Sequence, residues 1–137
     1  MHHLAHFNHF AILVSALIQW FIGALWYSPV LFAKPWAAMN GITPGGPKKN
    51  AMIAGMITSF VGSLVLSFML EHLILWSGAS TAAWGALIGF IVWAGFMAAP
   101  LSASYIYEGR PFKLFAINLG FWLVCLLASG ILLALWR

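Results

Sequence analysis

Four histidines, His2, His3, His6 and His9, precede the first apolar run, and His72 is the fifth. In a helix, offsets of four and three set His2, His6 and His9 on one face. Imidazoles so arranged suit Zn, Cu, Ni or Fe. Met1-His2-His3 could also chelate Cu(II) or Ni(II) in a square plane, through the amine, backbone nitrogens and His3. If the start of the chain and the end of the second apolar run share a face, His6, His9, Glu71 and His72 form a second ligand set. The alternative involves no metal. Histidine sits comfortably at a membrane surface, a frayed terminus needs no partner, and no cysteine closes the set. An appended histidine stretch would read the same way.

Glu71 follows a long uncharged run and is expected near the outer end of its helix. An intramembrane carboxylate is a candidate proton or cation site; a solvated or His72-paired interfacial residue is the plainer reading. Glu108 and Arg110 flank Gly109 in a tight turn. They are either a local ion pair of little worth or, with Lys34 and Lys113, an inner basic cluster for anionic lipid headgroups. Gln19 and Asn118 fall inside apolar runs, where an amide must be bonded. They are expected to bond between helices or to line a polar path.

Enzymatic groups are nearly absent. Asp does not occur, which removes Ser-His-Asp triads and paired-Asp sites. The two Glu are expected on opposite faces, and there is neither a phosphate loop nor a CxxC pair. No cofactor is implied. Cys125 is alone, so no internal disulfide forms, and it is expected as a small buried apolar residue.

The elements that hold these residues follow from composition. The chain has 137 residues, 64% hydrophobic and 6% charged, with a mean hydropathy of +0.98. Soluble domains carry about a quarter charged residues, so the chain reads as an integral membrane protein. Apolar runs at 10–30, 51–70, 81–104 and 112–136 are each long enough to span, and helices are the form such runs take in lipid. They fill 1–137 as a single all-α domain, a four-helix transmembrane bundle. The start, without Lys or Arg before its bulky apolar run, is expected to be a retained helix and not a cleaved leader.

The first connection, rich in Pro and Gly, carries Lys34, Lys48 and Lys49; the third carries Arg110 and Lys113. The second carries no base. Positive residues stay inside, so both termini are expected outside, with Arg137 the one opposing residue. Scattered bases of this kind do not make a nucleic-acid surface. Small residues recur at four-residue spacing: Gly55, Ser59, Ser63 and Ser67 in the second span, Gly85 and Gly89 in the third, Ala116 and Gly120 in the fourth. Such stripes let helix backbones approach.

Two segments are distinctive. One is WYSP-x-LF-x-K-x-W, Trp26 to Trp36; the other is EGRP…IN, Glu108 to Asn118, with GILLALW near the end. Across nearly the whole chain these resemble the small bacterial membrane proteins of the domain of unknown function 1761 family. The resemblance implies four transmembrane helices and a bacterial inner membrane, and it implies no reaction. The histidine-rich start is outside the family pattern. The expectation is a non-enzymatic protein of the lipid bilayer that works by helix packing, as a homo-oligomer or beside another membrane subunit. The alternatives are a small-solute or ion carrier and an outer-face metal-binding protein.

Overall fold

The computed structural model describes residues 7–28, 31, 33–39 and 49–136. They form α1 (His9–Trp26), α2 (Ala33–Met39), α3 (Lys49–Ser77), α4 (Ala82–Tyr107) and α5 (Phe112–Leu135). Among the described residues there is no strand. All but the short α2 are long and apolar enough to cross a membrane.

Local chemistry sets the helix ends. The Asn8 side chain accepts from the Ala11 N–H at 3.0 Å, and Thr81 Oγ1 accepts from the Trp84 N–H at 3.2 Å, each satisfying an otherwise orphaned donor. Pro111 stands just before α5, at its N-cap. The helices α3 and α4 close alike. Gly78 and Gly109 take φ of +74° and +67°, the left-handed conformation that glycine adopts without penalty. The next residues, Ala79 and Arg110, then donate backbone N–H groups to Ile74 and Tyr105, five positions back.

Three boundaries depart from expectation. The second span was expected to stop at 70, but α3 runs to Ser77, so Glu71 and His72 lie inside the helix. The apolar Leu-Ile-Leu-Trp that follows continues it, and Glu71 turns inward, fully buried. The first span ends at Trp26, not 30, because the Ser28 hydroxyl donates to the Leu25 carbonyl at 2.6 Å and Pro29 disfavours helix at the residue before it. The first connection, rich in Pro and Gly, nonetheless forms α2. Pro35 falls in its first turn, where the missing N–H costs nothing.

Within α4 the segment Trp93–Ala98 is a π-helix. Pro100 cannot donate to the carbonyl four residues before it. The helix widens just upstream, and the Ala99 N–H reaches Ala94, five back. A single π turn of this kind lets a helix pass a proline unbroken.

Helices α4 and α5 cross backbone against backbone. Gly85 stands against the Gly130 carbonyl, and Gly89 stands against the Leu126 carbonyl. α1 packs on α3 and α5 through Ala11, Ile12, Ser15, Ala16 and Gln19.

Chain ends and connections sort cleanly. Asn8 donates to the Trp136 carbonyl at 3.2 Å, and the Phe7 ring meets His72 at 4.5 Å. Phe7, Asn8 and Trp136 therefore lie with the α3–α4 turn, at what we call the terminal end. Lys34, Lys49, Arg110 and Lys113 lie at the opposite, basic end. Burial is inverted relative to a water-soluble domain. Phe10, Phe21, Ile57, Val61, Val65 and Phe96 are exposed, whereas Ser15, Gln19, Ser67, Glu71 and Ser129 are among the most buried residues.

Candidate functional site

Two polar networks hold the spans together. The first lies among α1, α3 and α5, toward the terminal end. Gln19 Nε2 donates to Ser67 Oγ and to Ser129 Oγ, both at 2.9 Å. Ser15 Oγ and Ser67 Oγ are 2.9 Å apart, and Ser15 lies a longer 3.5 Å from the amide nitrogen. An amide nitrogen has two protons, so the two short bonds use both. Gln19 Oε1 has no hydrogen-bond partner among the described residues. One turn beyond Ser67 on α3, Glu71 is 0% exposed. Ser63, Ser67 and Glu71 thus carry a polar stripe along the buried face of α3.

The second network lies toward the basic end. Tyr27 donates its hydroxyl to Asn118 Oδ1 at 2.8 Å, and Asn118 Nδ2 donates to the Tyr105 oxygen at 2.9 Å. The Trp26 indole donates to the Ile117 carbonyl at 3.0 Å and lies over Gly120, where an added Cβ would meet its ring at 3.4 Å. Trp36 of α2 meets the Tyr27 ring edge-on at 5.6 Å. Trp93, at the first π-helical position, donates to the Leu119 carbonyl at 2.7 Å.

The profile of the family described as "Protein of unknown function (DUF1761)" matches residues 10–134. The chain belongs to this family. No curated protein and no solved structure matches it. In this DUF1761 chain the two segments that carry the resemblance meet: Trp26, Tyr27 and Trp36 from one, Ile117 and Asn118 from the other, with Tyr105 just before it. The match starts after His9, so all four N-terminal histidines lie outside the family region.

The remaining candidates divide. His2, His3 and His6 lie outside the described residues. His9 is exposed. His72 Nδ1 donates to the Phe68 carbonyl of its own helix at 2.9 Å, and its ring packs among Phe7, Phe68 and Trp76. Among the described residues no three His, Cys, Asp or Glu side chains are placed to hold a metal. Glu71, expected near the outer end of its helix, is buried against other helices and not solvated, six residues before that helix ends at Ser77. Gln19 and Asn118 do not share a site. They belong to separate networks, because Asn118 and Ser129 are eleven residues apart on α5, roughly 16 Å along the axis.

Glu108 and Arg110 pair at 3.4 Å, both half-exposed. Lys34 and Lys113 are exposed at the same end. Of the small residues, Gly85, Gly89, Ser63 and Ser67 are buried and Gly120 is covered by Trp26. Gly55, Ser59 and Ala116 are exposed within the protomer, because no described helix crosses the faces they occupy. Cys125 is buried.

The serines Ser15 and Ser129 were not singled out from the sequence. Ser15 precedes Gln19 by one turn and could have been found as its same-face neighbour. Ser129 offered only its place beside Gly130.

Proposed function

We propose that this DUF1761 chain is a non-enzymatic, multi-pass protein of the bacterial inner membrane, with both termini outside. It works by helix packing, as a homo-oligomer or as a small subunit beside a larger one. The observation that carries this reading is the bare basic-end half of α3. From Asn50 to Ser59 every residue is exposed, and an added Cβ at Gly55 or Gly62 meets nothing within 4 Å. The same small-residue stripe is closed by α1 further along, at Ser63 and Ser67. Small residues favour association only when another backbone comes close. The inverted burial supports the membrane, since extensive outward apolar surface marks a membrane or partner interface while the polar side chains here are the buried ones. The gathering of Lys34, Lys49, Arg110 and Lys113 at one end supports the orientation.

Native mass spectrometry of the untagged protein in mild detergent tests the oligomer. The wild type is expected as a multimer or with a co-purifying subunit. Gly55→Leu, which has room within the protomer, is expected to weaken assembly about tenfold, or roughly 1.4 kcal/mol. A strictly monomeric wild type that retains no partner refutes the reading.

A second reading, carriage of a small cation, proton or solute, is favoured by Glu71. A carboxylate 0% exposed inside a span is where membrane proteins place ion and proton chemistry. Flux through proteoliposomes is then expected to fall on Glu71→Gln. Flux unchanged in both Glu71→Gln and Asn118→Leu ends this reading.

A further inference from the structure

A groove of about 180 Å³ opens at the basic end, where α4 turns into α5, lined by Ser102, Tyr105, Ile106, Arg110, Phe112 and Phe115. Its one charged lining group is the Arg110 guanidinium, which stands over the Tyr105 ring at 5.7 Å. The walls are apolar and outward-facing: Ile106 is 80% and Phe112 78% exposed. We propose that this groove binds one anionic glycerophospholipid, with the phosphate on Arg110 and an acyl chain along Ile106, Phe112 and Phe115.

Several observations favour that ligand. The guanidinium is a planar fork suited to phosphate oxygens. Its present partner, Glu108, holds it only at 3.4 Å, with side chains 44% and 53% exposed, a weak and replaceable pairing. The ionic neighbour on α5, Lys113, is also exposed and adds attraction for an anion. A free phosphate would gain nothing from Phe112, Phe115 or Ile106, whereas a lipid chain covers all three. The groove also lies at the ends of two apolar helices, the depth at which headgroups meet chains. Its inner wall is preset. Asn118 donates to the Tyr105 oxygen, and Phe115 packs edge-on against the Tyr105 ring at 5.1 Å. The hydrogen-bond chain from Tyr27 through Asn118 to Tyr105 thereby ties the two family segments to the groove.

The test uses the full chain in mild detergent, titrated with phosphatidylglycerol or with phosphatidylcholine of identical acyl chains, with bound lipid counted by native mass spectrometry. One phosphatidylglycerol per protomer is expected, retained about tenfold more tightly than phosphatidylcholine. Arg110→Ala is expected to abolish that preference, Arg110→Lys to keep part of it, and Glu108→Gln to strengthen binding. Phe112→Ser, at an exposed position whose loss leaves the core intact, is expected to weaken binding several-fold with helix content unchanged by circular dichroism. It remains informative if Arg110→Ala fails to fold. Equal retention of the two lipids, or a preference that survives Arg110→Ala, overturns the proposal. So does displacement of the lipid by glycerol phosphate at matching concentration, which would make the groove a site for free anions.

Discussion

Gly130→Val is expected to destabilise the bundle by about 3 kcal/mol, the upper part of the range for overpacked cores. A Cβ at Gly130 would run into the Gly85 carbonyl, and one at Gly85 would run into the Gly130 carbonyl and meet the Ala134 Cβ at 2.8 Å. Both obstacles on the axis of approach are backbone, so no side chain can swing away. Relief requires α4 and α5 to move apart, which also loosens the neighbouring contact between Gly89 and the Leu126 carbonyl. Against a typical total stability of about 5–15 kcal/mol, that loss is severe. The measurement is reversible unfolding in mixed micelles, followed by circular dichroism. Gly95→Ala on α4, the partner helix of the crossing, is the control, since an added Cβ there meets nothing within 4 Å, and it should stay within about 0.5 kcal/mol. Wild-type stability in Gly130→Val would show that the crossing does not hold the bundle.

Gln19→Ala is the second large effect, expected at about 3 kcal/mol. Two contributions add. Interhelical hydrogen bonds in membranes each contribute up to about 1.7 kcal/mol, and Gln19 makes two at 2.9 Å, to Ser67 and Ser129. The side chain is also fully buried, at 1% exposure, so truncation leaves a cavity. The loss stays below the sum of these limits because each serine hydroxyl can turn back to a carbonyl of its own helix. A double-mutant cycle separates the terms. Ser67→Ala in the Gln19→Ala background should cost less than in the wild type, because the partner is already gone. Full additivity would mean that Gln19 and Ser67 are neighbours without being coupled.

The two networks show what kind of information was legible beforehand. Gln19 and Asn118 stood out because an amide in an apolar run must find a partner, and each has one. Which partners they have was not legible. Ser129 lies 110 positions from Gln19 in the chain, and Tyr27 lies 91 from Asn118. In a water-soluble helix, periodicity of apolar residues tells which face is buried. In these spans apolar residues point both inward and outward, so the pattern carries little about facing. The small-residue stripes suffer the same ambiguity: Ser63 and Ser67 close against α1 while Gly55 and Ser59, on the same stripe, face out.

Glu71 illustrates the second limit. A carboxylate after a long uncharged run reads as the edge of a span, because a charge avoids hydrocarbon. The helix instead continues for six more residues to Ser77, and the side chain turns into the bundle. That choice depends on neighbours from other helices and has no local signature. Pro100 is similar. A proline inside a helix can leave a kink, a break or a π turn, and only the structure shows that here it is the π turn Trp93–Ala98.

The sequence by itself determined the helical class, the four helices long and apolar enough to cross a membrane, and the gathering of the basic connections at one end. Those follow from composition and order alone: a backbone without water must bond itself, and antiparallel spans joined by short connections alternate ends. Tertiary structure decided the glycine crossing of α4 and α5, the Gln19–serine core, and the meeting of the two family segments around Asn118. Each depends on the rotation and tilt of one helix against another, and those are set by close packing between residues far apart in the chain.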